Sequence, residues 1–153
     1  MHLALLMTNT DESDFAQKHP KDGEKFTSLI KSVRPEWRVT SFPVKDGVFP
    51  KNLDGFDGIM ISGSPASLLE SEPWMTRLLD EIHNAYADGT PIFGACFGHQ
   101  AVAKALGGEV TSNPAGWAFG SLKVSVMEKA PWLGPASSFH QYGAHVDHVT
   151  RAP

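Results

Sequence analysis

The sequence predicts an α/β fold with an open, mostly parallel sheet, and three observations lead to that prediction. Short apolar runs alternate along the chain with stretches whose apolar residues have helical spacing. Several apolar runs end directly in a polar or glycine-rich loop, as strands of a parallel sheet do. The length of 153 residues and the hydrophobic fraction of 41 % allow one buried core. We therefore expect a single domain over residues 1–153.

The first predicted unit is a strand, a helix and a second strand. Residues 2–7 form an apolar run ahead of a polar loop, which predicts a buried first strand. From Glu24 onward, apolar residues recur at helical spacing until Pro35, where the helix must end. Residues 37–44 then predict the second strand. The first run is too short for a membrane span and no basic segment precedes it, so we expect a cytoplasmic protein.

Two further pairs of strand and helix follow in the same order. The third strand leads into Gly63-Ser64-Pro65, a combination typical of a turn. The next helix has Pro73 at its first position, and Gly89 follows its end. After Gly108, alternating apolar and polar residues predict short antiparallel strands. The predicted segments are strands at 57–62 and 91–95, a helix beginning at Pro73 and a helix over 98–106.

The only cysteine in the chain, Cys96, lies at the carboxyl end of the predicted fourth strand, as Gly63 lies at the end of the third. Right-handed crossovers bring these ends to one edge of the sheet, where chemistry is expected. Gly94 and Gly98 leave room for a tight turn around the thiol. The following helix directs free amides at the sulfur, which favours the thiolate, and the Phe97 N–H can stabilise an oxyanion. From this spacing alone, a buried structural thiol stays an alternative.

Longer strings around these turns resemble a known family. Residues 89–108, GTPIFGACFGHQAVAKALGG, resemble the nucleophile segment of class I glutamine amidotransferases, whose signature is Gly-x-Cys-x-Gly-His-Gln. Residues 61–82, ISGSPASLLESEPWMTRLLDEI, are similar to the oxyanion loop of members that resemble the glutaminase part of GMP synthase. Together with GWAFGSLKVSV and AHVDHVTRAP, the resemblance covers most of residues 56–153. It implies a flavodoxin-like sheet with helices on both faces.

The resemblance also implies roles for individual residues. Cys96 would attack the side-chain amide carbon of glutamine, release ammonia and leave a γ-glutamyl thioester that water hydrolyses. The backbone N–H groups of Gly63 and Phe97 would form the oxyanion hole. Gln100 and the Gly63-Ser64 loop would contact the substrate glutamine, although ordinary turn chemistry explains Ser64 equally well. His99, one turn into the helix, is expected to orient the loop rather than to transfer a proton.

The resemblance implies a small-molecule substrate and allows for a protein partner. Glutamine is the expected substrate, and the ammonia acceptor would be bound by a synthase subunit or a similar partner. The resemblance implies no cofactor and no metal. A net charge of −4 gives no reason to expect nucleic acid as a ligand, and the apolar runs give none to expect a membrane.

The sequence departs from the family at the general base. The family takes this base from a later Phe-His-Pro-Glu-like motif, and no His-x-Glu pair occurs among these 153 residues. We therefore expect the C-terminal part of the fold to be truncated and the chain to be a fragment of a longer one. Two other interpretations stay open. One is a catalytically silent domain that binds glutamine or a partner, and the other is a related elbow-cysteine hydrolase, either a γ-glutamyl peptidase or a DJ-1/PfpI-like protein.

A group of histidines near the end raises the question of a metal site. His140, His145, Asp147 and His148 lie close together in sequence, and strand alternation would place His145 and Asp147 on one face. The segment HVDHVTRAP nevertheless resembles a His-x-Asp-x-Val stretch of the family that binds no metal. We therefore expect a solvated loop with scattered histidines.

Overall fold

A computed structural model describes residues 1–131 and 133–153 of the chain. The elements are β1 (His2–Leu6), α1 (Asp14–Gln17), α2 (Asp22–Val33), β2 (Arg38–Phe42), a 3-10 turn (Val44–Asp46), β3 (Gly58–Ile61), α3 (Pro73–Ala87), β4 (Ile92–Gly94), α4 (Phe97–Ala105), β5 (Glu109–Ser112), β6 (Ala118–Ser125), β7 (Ser138–His145) and β8 (Asp147–Arg151). All four predicted strands of the first part, and the three predicted helices, are confirmed within a few residues. The helix α1 was missed because it has only four residues and is held by a local cap, in which Ser13 Oγ accepts from the Ala16 N–H.

Four strands form one parallel sheet in the order β2-β1-β3-β4. In its register, Leu6 lies opposite Phe42 on one side and opposite Ile61 on the other, and Ile61 lies opposite Gly94. The last residues of all four strands therefore lie at one edge. This arrangement confirms the open, parallel sheet that the alternation of apolar runs predicted.

Successive strand residues point to opposite sides of the sheet, so this sheet has two apolar faces. Helices cover both of them. On one face, Leu6, Ile59 and Ile61 pack in a fully buried cluster with side chains of α3 and α4 such as Leu78 and Phe97. On the other face, Leu3, Leu5 and Met60 form a smaller cluster with the partly buried Phe26 and Ile30 of α2. The prediction of helices on both faces is confirmed.

The long helix α3 begins and ends where the sequence signals placed it. Pro73 occupies the first turn, where its missing N–H leaves no helical hydrogen bond unmade. Met75, Leu78, Ile82 and Ala85 form its buried stripe. Gly89 follows with φ of +75°, a left-handed conformation that glycine adopts without strain.

The structure divides into two compact units, residues 1–111 with 149–153, and residues 112–148. In the second unit, β6 and β7 form an antiparallel hairpin whose register runs from Ala118 opposite His145 to Ser125 opposite Ser138. A further two-stranded sheet pairs β5 with β8. The short strands predicted after Gly108 are therefore present, and the single domain over residues 1–153 stays a prediction. Across the described residues, no helix combines the length and apolar character needed to cross a membrane.

Candidate active site

The loops that follow β3 and β4 meet at the carboxyl edge of the sheet. The Ala95 N–H donates to the Ile61 carbonyl at 3.0 Å, which continues the strand pairing one residue past β4. A Cβ built on Gly63 would lie 3.5 Å from Cys96 Cβ, an ordinary van der Waals distance. The structure therefore brings together the two loops that carry the predicted nucleophile and the predicted oxyanion donor.

Cys96 has a backbone conformation that few residues adopt. Its φ is 51° and its ψ is −106°, and no other non-glycine residue in 1–131 or 133–153 has a positive φ. Such a conformation costs on the order of 1–3 kcal/mol and persists only where surrounding structure imposes it. The residue is exposed and stands at the N-cap of α4. The alternative of a buried structural thiol is therefore wrong, because the thiol is exposed at a strand-to-helix turn.

Close approaches between backbone segments explain the glycines on either side of the cysteine. A Cβ on Gly94 would lie 2.3 Å from the Gly98 carbonyl carbon and oxygen and 2.6 Å from the His99 nitrogen. A Cβ on Gly98 would lie 2.6 Å from the Ile61 carbonyl oxygen. Backbone atoms cannot yield as a flexible side chain can, so both positions require glycine. The Gly-x-Cys-x-Gly spacing thus lets the first turn of α4 lie directly against the ends of β3 and β4.

Two backbone N–H groups near the thiol are available to a ligand. Phe97 is the first residue of α4, where the helix itself provides no acceptor. The neighbouring amides are used, since the Gly98 N–H donates to the Ala95 carbonyl and the Gln100 N–H to the Cys96 carbonyl. Within the described part of the chain, neither the Phe97 N–H nor the Gly63 N–H has a hydrogen-bond acceptor. The two N–H groups predicted to form an oxyanion hole therefore have no acceptor among the described residues.

The other predicted site residues have different surroundings. The Phe97 side chain is buried in the core beneath α4, so a role in the site is possible only for its backbone N–H. Gln100 is only 6 % exposed, and its contact with glutamine stays a prediction. Ser64 is half-buried, and its Oγ accepts from the Ala66 N–H at 3.2 Å, as turn chemistry requires. His99 is exposed and makes no hydrogen bond or ion pair that the described residues reveal, so its loop-orienting role stays a prediction.

Sequence reasoning missed a buried pair of hydroxyl groups behind the oxyanion loop. Thr8 and Ser62 are both fully buried; Ser62 directly follows β3, and Thr8 lies two residues past the end of β1. The Thr8 N–H donates to Ser62 Oγ at 3.0 Å, and Thr8 Oγ1 lies 2.9 Å from the Ser62 carbonyl oxygen. In the sequence, this pair could have been noticed only as a hydroxyl residue following each of two apolar runs, 2–7 and 58–61. Its significance depends on the strand order, which places β1 beside β3.

The β1 and β2 half of the same edge is built from charged side chains. Lys45 Nζ lies 2.8 Å from both a Glu12 and an Asp46 carboxylate oxygen. The hydrogen bonds to Asp46 and, to a smaller extent, to Glu12 raise the pKa of Lys45. The hydrogen bond from Lys45 in turn lowers the pKa of Glu12. Hydrogen bonds from Ser13 lower the pKa of Asp11. A cavity of about 300 Å³ lies among these residues, lined also by Phe15 and by other side chains of this region.

The histidine group lies in strands, which corrects the prediction of a solvated loop. His140 and His145 belong to β7, and Asp147 and His148 belong to β8. His145 Nδ1 lies 3.0 Å from the Asp147 carbonyl oxygen, so the close contact uses backbone rather than two ligand side chains. Among residues 1–131 and 133–153, no three His, Cys, Asp or Glu side chains are placed to hold a metal ion together.

Comparison with known proteins matches this arrangement to a family. The profile described as glutamine amidotransferase class-I matches residues 26–153. The γ-glutamyl peptidase 4 of Arabidopsis thaliana is 37 % identical over 109 residues, which are 69 % of this chain and 43 % of the peptidase. The glutamine-hydrolysing GMP synthase of Aeropyrum pernix is 36 % identical over 97 residues, which are 63 % of this chain and 18 % of the synthase. This chain therefore spans less than half the length of either relative.

A solved structure shows the same fold. The glutamine amidotransferase of Methylobacillus flagellatus superposes on this chain with a TM-score of 0.76 at 24 % identity. The superposition covers 99 % of this chain and 57 % of that one. At this identity the likeness shows the fold alone, and it confirms the flavodoxin-like architecture.

Proposed function

This chain belongs to the class I glutamine amidotransferase family, and on that premise we propose that Cys96 is the nucleophile of a glutaminase. One observation carries the proposal. Cys96 has an exposed thiol on a strained backbone, and two backbone N–H groups without an acceptor lie beside it. A nucleophile needs access to its substrate, and an oxyanion needs donors fixed before it forms. The exposed thiol and the two N–H groups without an acceptor, both located where β3 and β4 end, support this proposal.

The proposed reaction hydrolyses the side-chain amide of glutamine. The Cys96 thiolate adds to the amide carbon, and the N–H groups of Gly63 and Phe97 stabilise the resulting oxyanion. The tetrahedral adduct collapses, its C–N bond breaks, and the nitrogen leaves as ammonia after taking up a proton. Water then adds to the γ-glutamyl thioester and releases glutamate and the free thiol. The net reaction converts glutamine and water into glutamate and ammonia.

The acid and base of this reaction are not assigned to any residue of this chain. A positioned proton donor contributes roughly 100- to 10,000-fold to such a step. We place this donor in a His-x-Glu pair of a Phe-His-Pro-Glu-like motif, which these 153 residues do not contain. The chain by itself would then acylate slowly and turn over near background. The ammonia acceptor and a synthase partner, which the GMP synthase relative supports, belong to the same proposal.

A second candidate changes only the leaving group. The Arabidopsis relative is named a γ-glutamyl peptidase, and it matches more of this chain than the GMP synthase does. In this alternative Cys96 attacks the same γ-carbonyl, and an amine or amino acid leaves in place of ammonia. The two candidate reactions use the same residues of this chain and differ only in the leaving group. The rates of hydrolysis of glutamine and of a γ-glutamyl dipeptide therefore distinguish them.

The experiment that tests the thiol needs no turnover. The folded chain is treated near neutral pH with a glutamine-like chloroketone or with iodoacetamide, and the adduct is mapped by mass spectrometry. We expect Cys96 to react faster than an unstructured peptide thiol and free glutamine to slow the chloroketone. Cys96→Ala is the blank. Reaction no faster than that of the peptide would contradict an activated nucleophile and favour a silent domain.

A second experiment tests the location of the base. Glutamate and ammonia release are measured from this chain and from one extended through a Phe-His-Pro-Glu-like motif, each confirmed to be folded. The extended chain should be faster by roughly 100- to 10,000-fold. Equal rates would mean that one of His140, His145 and His148 acts as the base.

A further inference from the structure

The buried hydroxyl pair behind the oxyanion loop has a geometric consequence for the proposed site. Thr8 and Ser62 follow β1 and β3, and both residues have a relative exposure of 0 %. They carry four donors: the Ser62 N–H, which donates to the Leu6 carbonyl at 3.1 Å, the Thr8 N–H and the two hydroxyl groups. The acceptors nearby are Ser62 Oγ and the carbonyl oxygens of Ser62 and Gly63.

One assignment of the hydrogens satisfies all of these groups. The Thr8 N–H donates to Ser62 Oγ at 3.0 Å, and the Thr8 hydroxyl donates to the Ser62 carbonyl at 2.9 Å. The Ser62 hydroxyl then donates to the Gly63 carbonyl at 3.2 Å. Buried hydroxyl groups without partners are costly, so this complete network fixes the loop firmly.

The network determines the direction of the Gly63 N–H. In a trans peptide, the C=O and the following N–H point to opposite sides. No peptide bond in the described residues is cis, and the Ser62 carbonyl points toward Thr8 and hence toward β1. The Gly63 N–H must therefore point away from β1. Because β3 lies between β1 and β4, this direction is toward the loop that carries Cys96.

We propose that Thr8 is a positioning residue, whose hydroxyl holds the Ser62–Gly63 peptide so that the Gly63 N–H is directed at the oxyanion formed on Cys96 attack. The inference rests on the proposed function, since it concerns the same oxyanion. The hydrogen bonds of the Thr8 hydroxyl go to the carbonyl oxygens of Ser62 and Gly63, so Thr8 would act through the backbone at the end of the neighbouring strand.

The test compares two reagents that differ in their need for an oxyanion hole. In the site, the thiolate adds to the carbonyl carbon of a glutamine-like chloroketone and forms an oxyanion. The sulfur then moves to the neighbouring carbon as its C–Cl bond breaks, chloride leaves and the carbonyl re-forms. Iodoacetamide reacts by direct displacement of iodide and forms no oxyanion. The ratio of the two labelling rates at Cys96 therefore reports the oxyanion donors, while the iodoacetamide rate alone reports the thiol.

Thr8→Val keeps the shape of the side chain and removes the hydroxyl. We expect it to lower the chloroketone rate by about 10- to 100-fold, as misplaced catalytic groups do, and to leave the iodoacetamide rate within about twofold. Thr8→Ser should restore the ratio. Ile82→Val, at a buried position of α3 remote from the loop, is the control for lost stability and should keep the wild-type ratio.

The outcomes separate this inference from the proposed function. A wild-type chain whose chloroketone rate is no faster than that of a peptide thiol would overturn both. A fast wild-type chain with an unchanged ratio in Thr8→Val would overturn the positioning role alone. If Thr8→Val does not fold, Thr8→Ala removes the same hydroxyl and its contacts with the Ser62 and Gly63 carbonyl oxygens, and it should lower the ratio in the same way. An unchanged ratio there would likewise overturn the inference.

Discussion

The two halves of the carboxyl edge of the parallel sheet are built by different chemistry. Where β3 and β4 end, the contacts are between backbone atoms. Gly94 and Gly98 allow these atoms to approach so closely that a Cβ at either position would clash with them. Where β1 and β2 end, the contacts are ion pairs among half-exposed side chains around Lys45. The first half has one steric solution and holds a cysteine in a strained conformation, whereas the second tolerates rearrangement. Precision in this protein therefore comes from close backbone packing rather than from charge.

The strongest test of that comparison is a methyl group added to the backbone half. Gly98→Ala would place a Cβ 2.6 Å from the Ile61 carbonyl oxygen, and the helix or the strand end must move. We expect a loss of about 3 kcal/mol or more, at the upper end for overpacked sites, seen as a fall in Tm of about 6–12 °C. Gly55→Ala is the matched control, because a Cβ there meets nothing within 4 Å. Equal melting temperatures for the two variants would contradict the steric account.

Removing one N–H group from the same half should affect activity rather than stability. In an extended, active chain, Gly63→Pro removes the proposed oxyanion donor and should slow glutamine hydrolysis on the order of 100-fold. Gly63→Ala keeps the N–H, and its Cβ would meet Cys96 Cβ at an ordinary 3.5 Å. The alanine variant should therefore lose far less. A proline variant that is folded and fully active would show that the donor lies elsewhere.

A substitution in the charged half should have a much smaller effect. Lys45→Met removes the ion pairs to Glu12 and Asp46 and keeps most of the aliphatic packing. Because such pairs are weak near the surface, we expect Tm to fall by about 1–3 °C. The iodoacetamide rate of Cys96 should not change. A large change in that rate would mean that the two halves of the edge are coupled.

The smallest expected effect is a pH dependence confined to the charged half. The pKa of Glu12 is lowered, so its contribution to stability is present above the ordinary value of 4.5 and is lost as the pH falls below it. The pKa of Lys45 is raised, so its contribution is present below the ordinary value of 10.5 and is lost as the pH rises above it. Melting curves of wild type and Lys45→Met should converge at both extremes. Parallel curves at all pH values would exclude this linkage.

Local sequence patterns were enough to predict the four strands of the parallel sheet, the three longer helices and the cysteine turn. Apolar periodicity distinguishes a strand at residues 2–7 from the helix that starts near Glu24, and Pro73 and Gly89 mark the ends of α3. Gly94, Cys96 and Gly98 lie within five consecutive residues, so their spacing predicts a tight turn at the cysteine. These features depend on residues that are close together in the chain, so local patterns are sufficient to predict them.

Only the tertiary structure could decide which distant residues meet at the strand ends. Thr8 and Ser62 are 54 positions apart, and their network exists because β1 pairs with β3 in one particular register. The histidines from 140 to 148, expected in a loop, instead lie in strands because β7 and β8 pair with β6 and β5. Hydrogen bonding between distant strands follows strand order and register, which the burial of whole faces selects and which no local periodicity encodes. For this protein, sequence alone therefore determined the cysteine turn, and tertiary structure determined the peptide orientation opposite it.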